Sequence, residues 1–403
     1  MILRPQYLDQ LTRSKGTDFV KILTGVRRSG KSTLLQMYRT WLLGEGVAPS
    51  DILEINFERF EDAPFRDAKV LHEFVGRRAS AGEGLFLLID EVQEVPEWAR
   101  VVNSLRVSFK VDIYLTGSNA SLFSGDSLTY LAGRYLEIRV FPLSFAEFLA
   151  FRGAPEDIQT ARLFETYLRD GSFPAVALTE EPSLIRTINQ GLFDSIFARD
   201  ILMRGQIRDP GSFLKVAKFV FENVGSSVSA NNIANVMKSE GSSLKADTVD
   251  NYLKLMCDAF ILYQCDRFDI RGKGRLRTNG KYYAVDTGIR NQLLGVDASN
   301  RGHLLENVVY FELLRRGYQV QTGKNGGLEI DFMVEKDRQR AYVQTCWSIM
   351  DEETRKREQA AFRGLPDAFP RYVLSMDDFD LSEQGVRHLR AFDFLLGKTD
   401  ALR

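Results

Sequence analysis

The sequence predicts an α/β protein: a parallel sheet with a phosphate-binding loop (P-loop) after its first strand, then a helical lid, a winged helix and a further α/β domain. Three observations carry this expectation. Residues 24–33, Thr-Gly-Val-Arg-Arg-Ser-Gly-Lys-Ser-Thr, contain G-x-x-x-x-G-K-[ST] between a β-rich run and a helical run. Leu85-Phe86-Leu87-Leu88-Ile89-Asp90-Glu91 is an apolar stretch that closes in two carboxylates. A strand covered on both faces, whose carboxyl end meets a ligand crevice, looks like this. Finally, five strand candidates alternate with helical segments, the pattern of a parallel sheet.

The loop has a physical reason for its spacing. Gly25 and Gly30 let the backbone bend, so that successive N–H groups, Ser29 among them, point into one concavity suited to an anion. The helix that follows, with Leu34, Leu35, Tyr38, Trp41 and Leu42 at helical spacing, adds the positive end of its dipole. Lys31 is expected to reach the β- and γ-phosphates. The Ser32 hydroxyl is expected to help hold Mg²⁺, and Thr33 completes the motif. Arg27 and Arg28, inside the loop, read as solvated.

The next elements follow in order. Residues 51–57 form a second strand, 58–66 a polar loop and 69–78 a helix. At the tip of the third strand, Asp90 is the expected Mg²⁺ carboxylate, direct or one shell out, and Glu91 the residue that polarises an attacking water. Pro96 opens a helix carrying Trp98, Val101, Val102 and Leu105 on one stripe. The strand at 111–115 runs into Thr116-Gly117-Ser118-Asn119, where Asn119, and after it Ser118, is expected to sense the γ-phosphate or align the water. Residues 135–141 make the fifth strand.

Composition narrows the function classes. The 403 residues include 44% hydrophobic and 27% charged residues, enough for roughly two to four ordinary domains. A formal net charge of −1 rules out polyanion binding by bulk electrostatics, so any nucleic-acid contact has to be local. Cys257, Cys265 and Cys346 are odd in number and scattered, which suggests a reducing compartment. His72, His303 and His388 show no metal-ligand spacing. No apolar run approaches the ~20 residues of a membrane span, and the start lacks a signal-peptide core. A cytoplasmic protein without a membrane partner is expected.

Gly-Val-Arg-Arg-Ser-Gly-Lys-Ser-Thr, Leu-Ile-Asp-Glu-Val-Gln, Leu-Thr-Gly-Ser-Asn, Ala-Gly-Arg and Phe-Pro-Leu-Ser-Phe-Ala-Glu-Phe together resemble one family of bacterial and archaeal AAA-type P-loop ATPases. The resemblance implies ATP and Mg²⁺ as ligands, and an ATPase module followed by a winged helix and a restriction-endonuclease-like domain. It also implies an arginine near the fifth strand that stabilises charge on the transferring phosphoryl group. Arg134 is the candidate, acting in cis or from a neighbouring subunit, so an oligomer is compatible with the sequence.

The expected boundaries are 1–150 for the AAA-type ATP-binding core, 151–209 for the lid, 210–285 for the winged helix and 286–403 for the endonuclease-like domain. The lid's arginines, Arg169, Arg186, Arg199 and Arg204, read as solvated. In the winged helix, helices at 213–224, 229–237 and 246–260 precede strands at 261–268 and 281–285. The basic wing Arg271–Arg277 is the expected DNA contact. However, the presumed recognition helix carries Asp247, Asp250 and Asp258 set against Lys245 and Lys254, which favours docking of an unidentified protein partner. In the last domain Glu306, Asp331 and Gln344 match the endonuclease-like pattern. Cys346 stands where a catalytic lysine belongs, Lys324 and Lys336 are poor substitutes, and nuclease activity is not expected.

The expected function is ATP hydrolysis that drives or switches a conformational change relayed to the winged helix and C-terminal domain. The alternatives are an ATP-gated DNA-binding protein or nuclease, and a module that keeps ATP as a structural ligand.

Overall fold

Strand β1 (Val20–Thr24) is buried along its whole length and is an interior strand. It pairs in parallel with β4 (Val111–Gly117) on one side and β5 (Tyr135–Arg139) on the other. β4 pairs with β3 (Leu85–Asp90), and β3 with β2 (Ile52–Asn56). The resulting order, β2-β3-β4-β1-β5, is the five-stranded parallel sheet that the sequence predicts. The computed structural model describes residues 2–402 other than 83, 124, 125, 154–159, 204, 206, 242, 243, 271–273, 298, 299, 400 and 401; the side chains of 121, 123, 126–128 and 274–279 are also outside the description.

The pleat divides the buried residues between two cores. Leu23, Leu88 and Tyr114 face α1 (Pro5–Arg13) and α2 (Lys31–Gly44), packing with Tyr7, Leu11, Leu34 and Tyr38. Ile22, Leu87 and Ile89 face the other way, onto Leu71 and Val75 of α3 (Ala68–Ser80) and Val102 and Leu105 of α4 (Trp98–Ser108). A short α5 (Asp126–Leu131) precedes β5. Helix α1 was not anticipated from the sequence: it is short, and only Tyr7 and Leu11 are buried.

One charge sits in this core. Lys21 on β1 is completely buried, and its Nζ donates to Asp112 Oδ1 at 2.5 Å and Thr17 O at 2.9 Å. The second oxygen of Asp112 accepts from the Tyr114 hydroxyl and the Gly16 amide.

Residues from Leu143 onward, except Asp258–Phe260, form a second compact unit, while Met1–Pro142 with that short segment forms the first. The second unit opens with α6 (Phe145–Arg152), capped by a reciprocal Ser144–Glu147 box, then α7 (Thr160–Asp170), α8 (Pro174–Ala177) and α9 (Pro182–Ser195), which runs into a π-helical turn at Ile196–Met203. The three helices expected next are α10 (Pro210–Glu222), α11 (Ala230–Ser239) and α12 (Ala246–Asp258).

The pair that follows, β6 (Leu262–Asp269) and β7 (Gly274–Ala284), is antiparallel as a wing would be. It is not a free wing. After α13 (Thr287–Leu294) and α14 (Arg301–Arg315), β8 (Gln319–Asn325) pairs with β6 in parallel, Arg267 opposite Thr322. β9 (Leu328–Lys336) and β10 (Gln339–Thr345) extend the meander. After α15 (Glu352–Ala360), β11 (Arg371–Ser375) and β12 (Val386–Arg390) add in parallel, ahead of α16 (Ala391–Leu395). The sheet is seven-stranded, β12-β11-β10-β9-β8-β6-β7. The expected boundary at 285/286 therefore falls inside one hydrogen-bonded sheet. The reason is that β6 uses both edges, and local pattern reveals only the hairpin edge.

Arg204, Arg271 and Lys273 lie outside the described residues, as do the side chains of Arg275 and Arg277. No described helix is long and apolar enough to cross a membrane.

Removing Asp112 strands the Lys21 ammonium in the core. Asp112→Ala should cost about 3–5 kcal/mol of stability, and replacing both residues with apolar ones much less. Denaturant titration of the full chain, compared between the single and double variants, checks this.

Candidate functional site

The site is built where β1, β4 and β3 end side by side. Chain direction brings the loop after β1, the tip of β4 and the tip of β3 to the same edge of the sheet. At the start of the loop Gly25 takes φ +138°, and a Cβ there would lie 2.1 Å from the Val140 carbonyl oxygen, so only glycine fits. Gly30, left-handed at φ 100°, caps α2. No side chain caps that helix and its first turn holds no acidic residue. Its leading N–H groups therefore remain to be met by something outside the helix.

Lys31, 3% exposed, lies under the loop and donates to Gly25 O at 2.9 Å and Val26 O at 3.0 Å. Ser29 is fully buried, and its hydroxyl oxygen has no hydrogen-bond partner. Ser32 and Thr33 are exposed at the head of α2. Arg28 is exposed as expected, whereas Arg27 is mostly covered and pairs with Glu58 at 3.2 Å.

Opposite, Asp90 is buried and Thr116 on β4 donates to its Oδ1 at 2.5 Å. The other oxygen, Oδ2, is buried without a hydrogen-bond partner. Burial raises the Asp90 pKa above the usual carboxylate value; the Thr116 and Ser32 hydroxyls and the Lys31 charge work against that, while the Glu91 charge adds to it. Ser32 and Asp90 thus face one another, which is the fit that a magnesium ion shared between a phosphate and this pair requires. A buried carboxylate oxygen without a donor, beside an exposed hydroxyl and a lysine, is suited to a cation carried in with an anion.

Glu91 stands in the left-handed region, at φ 58° and ψ 52°. For a residue with a side chain this costs on the order of 1–3 kcal/mol and has to be imposed by its surroundings. Here the Glu91 amide donates to Thr116 Oγ1 at 2.9 Å, and its carboxylate accepts from the Ser118 hydroxyl at 3.0 Å and from the Gln93 amide. The β4 tip therefore does engage Glu91, through Ser118 first. Asn119 is buried beside it, and its carbonyl starts the turn into Leu122.

Arg134 is not brought to this edge. Its carbonyl accepts from the Val20 amide, at the start of β1, and the residue level with Thr24 is Arg139. Five residue steps of ~3.3 Å separate Arg134 from Arg139, level with the end of β1 where the loop begins, so a role in cis is not supported. Arg139 is exposed and paired with Glu137 at 3.2 Å.

Sequence reading missed Thr116 and Arg4. Arg4 is 2% exposed and donates to Ser29 O and Phe141 O, both at 2.9 Å, and to Pro142 O at 3.5 Å. Its guanidinium also sits 4.5 Å from the centre of the Tyr7 ring, whose hydroxyl accepts from the Phe141 amide. One arginine thereby ties the phosphate loop to the segment leaving β5. The only sequence signal was an arginine ahead of a short helix.

A protein of Haemophilus influenzae, described as uncharacterized, is 40% identical over 399 residues, 98% of this chain and 99% of that protein. This chain belongs to its family. A Methanocaldococcus jannaschii protein, also described as uncharacterized, is 27% identical over 357 residues, 85% of this chain and 78% of that protein. Residues 17–149 match a family described as an AAA domain, and residues 161–300 match a domain of unknown function. Among solved structures, the Walker-type ATPase of Pyrococcus abyssi is similar at TM-score 0.48 and 14% identity, covering 73% of this chain and 96% of that one. The Aeropyrum pernix ORC1 protein in complex with DNA gives TM-score 0.34 and 13% identity, over 73% and 92%. The AAA match coincides with the five-stranded sheet and its loop, so the first unit is of the AAA, P-loop kind.

Arg4→Ala leaves buried carbonyls without donors and should lower stability by about 3 kcal/mol. Arg4→Lys keeps the charge but lacks the planar fork, and should recover only part of that. Chemical denaturation of the three proteins side by side provides the check.

Proposed function

We propose that the first unit binds ATP with Mg²⁺ and hydrolyses it to ADP and phosphate. The reading rests on one observation: an uncapped helix start with Lys31 beneath it faces a buried, partly unsatisfied Asp90 across the same crevice. Main-chain amides of residues 30–33 would hold the phosphates, the expected Ser29 amide being given instead to Val26 O at 3.2 Å, and Lys31 would turn from the Gly25 and Val26 carbonyls to the β- and γ-phosphate oxygens. Ser32 and Asp90 would hold the magnesium ion, which supplies charge neutralisation at the phosphoryl group. Glu91, aimed by Ser118, Gln93 and Thr116, would accept a hydrogen bond from the attacking water, with Asn119 lining the same tip. An arginine contribution at the phosphoryl group would have to come in trans, with Arg134 of a second copy as the candidate.

Turnover would drive or switch a change in the second unit, where the lid, winged-helix and endonuclease-like readings belong. What supports a relay is Arg4, which joins Ser29 of the loop to Pro142, the last residue before the second unit begins. The exposed charges at α12, Asp247 and Asp250 against Lys245 and Lys254, cancel and offer phosphates no net attraction, which favours protein docking over DNA there. Docking of an unidentified protein partner is the role this favours.

A second reading, ATP-gated cleavage or binding of DNA, draws on one observation. The order α14-β8-β9-β10-α15-β11 brings Asp331 and Gln344 into hydrogen-bond contact, and Glu306 into the same cluster.

Lys31→Ala should abolish ATP binding or turnover. Glu91→Gln should bind ATP yet turn over at least ~100-fold more slowly, the lower end of what a general base contributes. Ser118→Ala, which frees one side of Glu91, should alter kcat more than KM. Phosphate release and ATP titration calorimetry on the purified chain measure all three; a normal rate for Glu91→Gln would refute the role given to that carboxylate.

A further inference from the structure

The resemblance of the second unit's last part to restriction-endonuclease-like domains implies a site in which carboxylates hold a divalent metal ion for phosphodiester chemistry. The residues present do not fit one. We infer that this carboxylate cluster is built around a protein cation, the Lys281 ammonium, in place of a metal ion.

Lys281, on β7, is 1% exposed, and its Nζ lies 2.7 Å from Glu329 Oε1, 2.8 Å from Glu306 Oε1 and 3.3 Å from Asp331 Oδ1. An ammonium has three N–H donors, and α14 and β9 provide three carboxylates to take them. No donor remains for a nucleophile or a phosphorane. The ammonium occupies the point where these oxygens converge, the place a metal ion would need.

The other ligand positions are committed as well. Asp331 Oδ2 accepts from the Thr345 amide at 2.9 Å, and Glu306 Oε1 also accepts from the Tyr283 hydroxyl at 2.7 Å. Gln344 spends its oxygen on the Asp331 amide at 2.7 Å and its nitrogen on Glu358 at 2.9 Å. Among the described residues no group of three or more His, Cys, Asp or Glu is placed to hold a metal ion.

Electrostatics keep the arrangement in place. Burial works against the Lys281 charge, but the three carboxylates outweigh it and hold the ammonium protonated. Cys346, at the position where a lysine was sought, has its thiol pKa raised by burial and bonds to Ser348 O at 3.2 Å, so it supplies no charge. The cation comes instead from 25 residues before Glu306 in the chain. The cluster then acts as a metal-independent pin that joins β7, α14 and β9.

The test uses the nucleotide-free full chain and Mn²⁺ followed by electron paramagnetic resonance. Wild type and Asp331→Asn should bind Mn²⁺ alike. Lys281→Met, which removes the cation and leaves its carboxylates facing one another, should gain about one Mn²⁺ per chain, and lose it again when Asp331→Asn is added. A Mn²⁺ site in the wild type that Asp331→Asn removes would overturn the inference, as would a folded Lys281→Met that gains none. The wild-type comparison decides the matter even where Lys281→Met fails to fold. Plasmid DNA incubated with wild type, Mn²⁺ and ATP should stay intact; nicking that disappears in Asp331→Ala would overturn the inference too.

Discussion

Amides and carbonyls alternate along a backbone, so a loop that turns its N–H groups toward a crevice buries carbonyls that need donors before any anion arrives. Here two cations supply them from inside the protein. Lys31 gathers the carbonyls of Gly25 and Val26, and Arg4 takes that of Ser29. Gly25 makes the arrangement sterically feasible against Val140, and the tips of β4 and β3 close it from the other side. The rest of the first unit serves to bring those pieces to one edge. Parallel strands point their carboxyl ends the same way, and β4 sits between β1 and β3 so that Thr116 can hold Asp90 and Glu91 together.

What was legible in the sequence was local. The phosphate loop is a contiguous motif, β3 announces itself as an apolar run ending in Asp90-Glu91, and the strands of the first sheet match their expected positions to within a few residues. Long-range partners were not legible. Arg4 bonds residues 25 and 137 positions away, and Thr116 meets Asp90 across 26. Periodicity is silent about such pairs, because it reports which face of an element is buried and not against what. The same limit explains Lys281, which reads as the start of a short wing strand and proves to be the centre of a charge cluster. It also explains the wing itself, whose hairpin edge is local in sequence while its other edge pairs with β8, more than fifty residues on.

Outside the phosphate loop, two buried lysines, Lys21 and Lys281, make an instructive contrast. Lys21 has one carboxylate and a backbone carbonyl, a pair that balances its own charge inside an apolar core. Lys281 has three carboxylates, and burial, with the neighbouring Asp331 charge, lifts the Glu306 pKa to about 7 against the pull of the ammonium. The first arrangement is a solution to a packing problem. The second gathers three carboxylates from two elements around one ammonium.

The parallel pairing of β6 with β8 bears on how this chain can be shortened or recombined. A fragment starting at α13 would begin with the β8 edge stripped of its neighbour, presenting open main-chain groups to any passing strand and inviting self-association. Natural or engineered shuffling at that point would yield an insoluble piece, whereas a cut near Pro142 severs no strand ladder of either sheet. Any separable fragment has to carry β6 and β8 together.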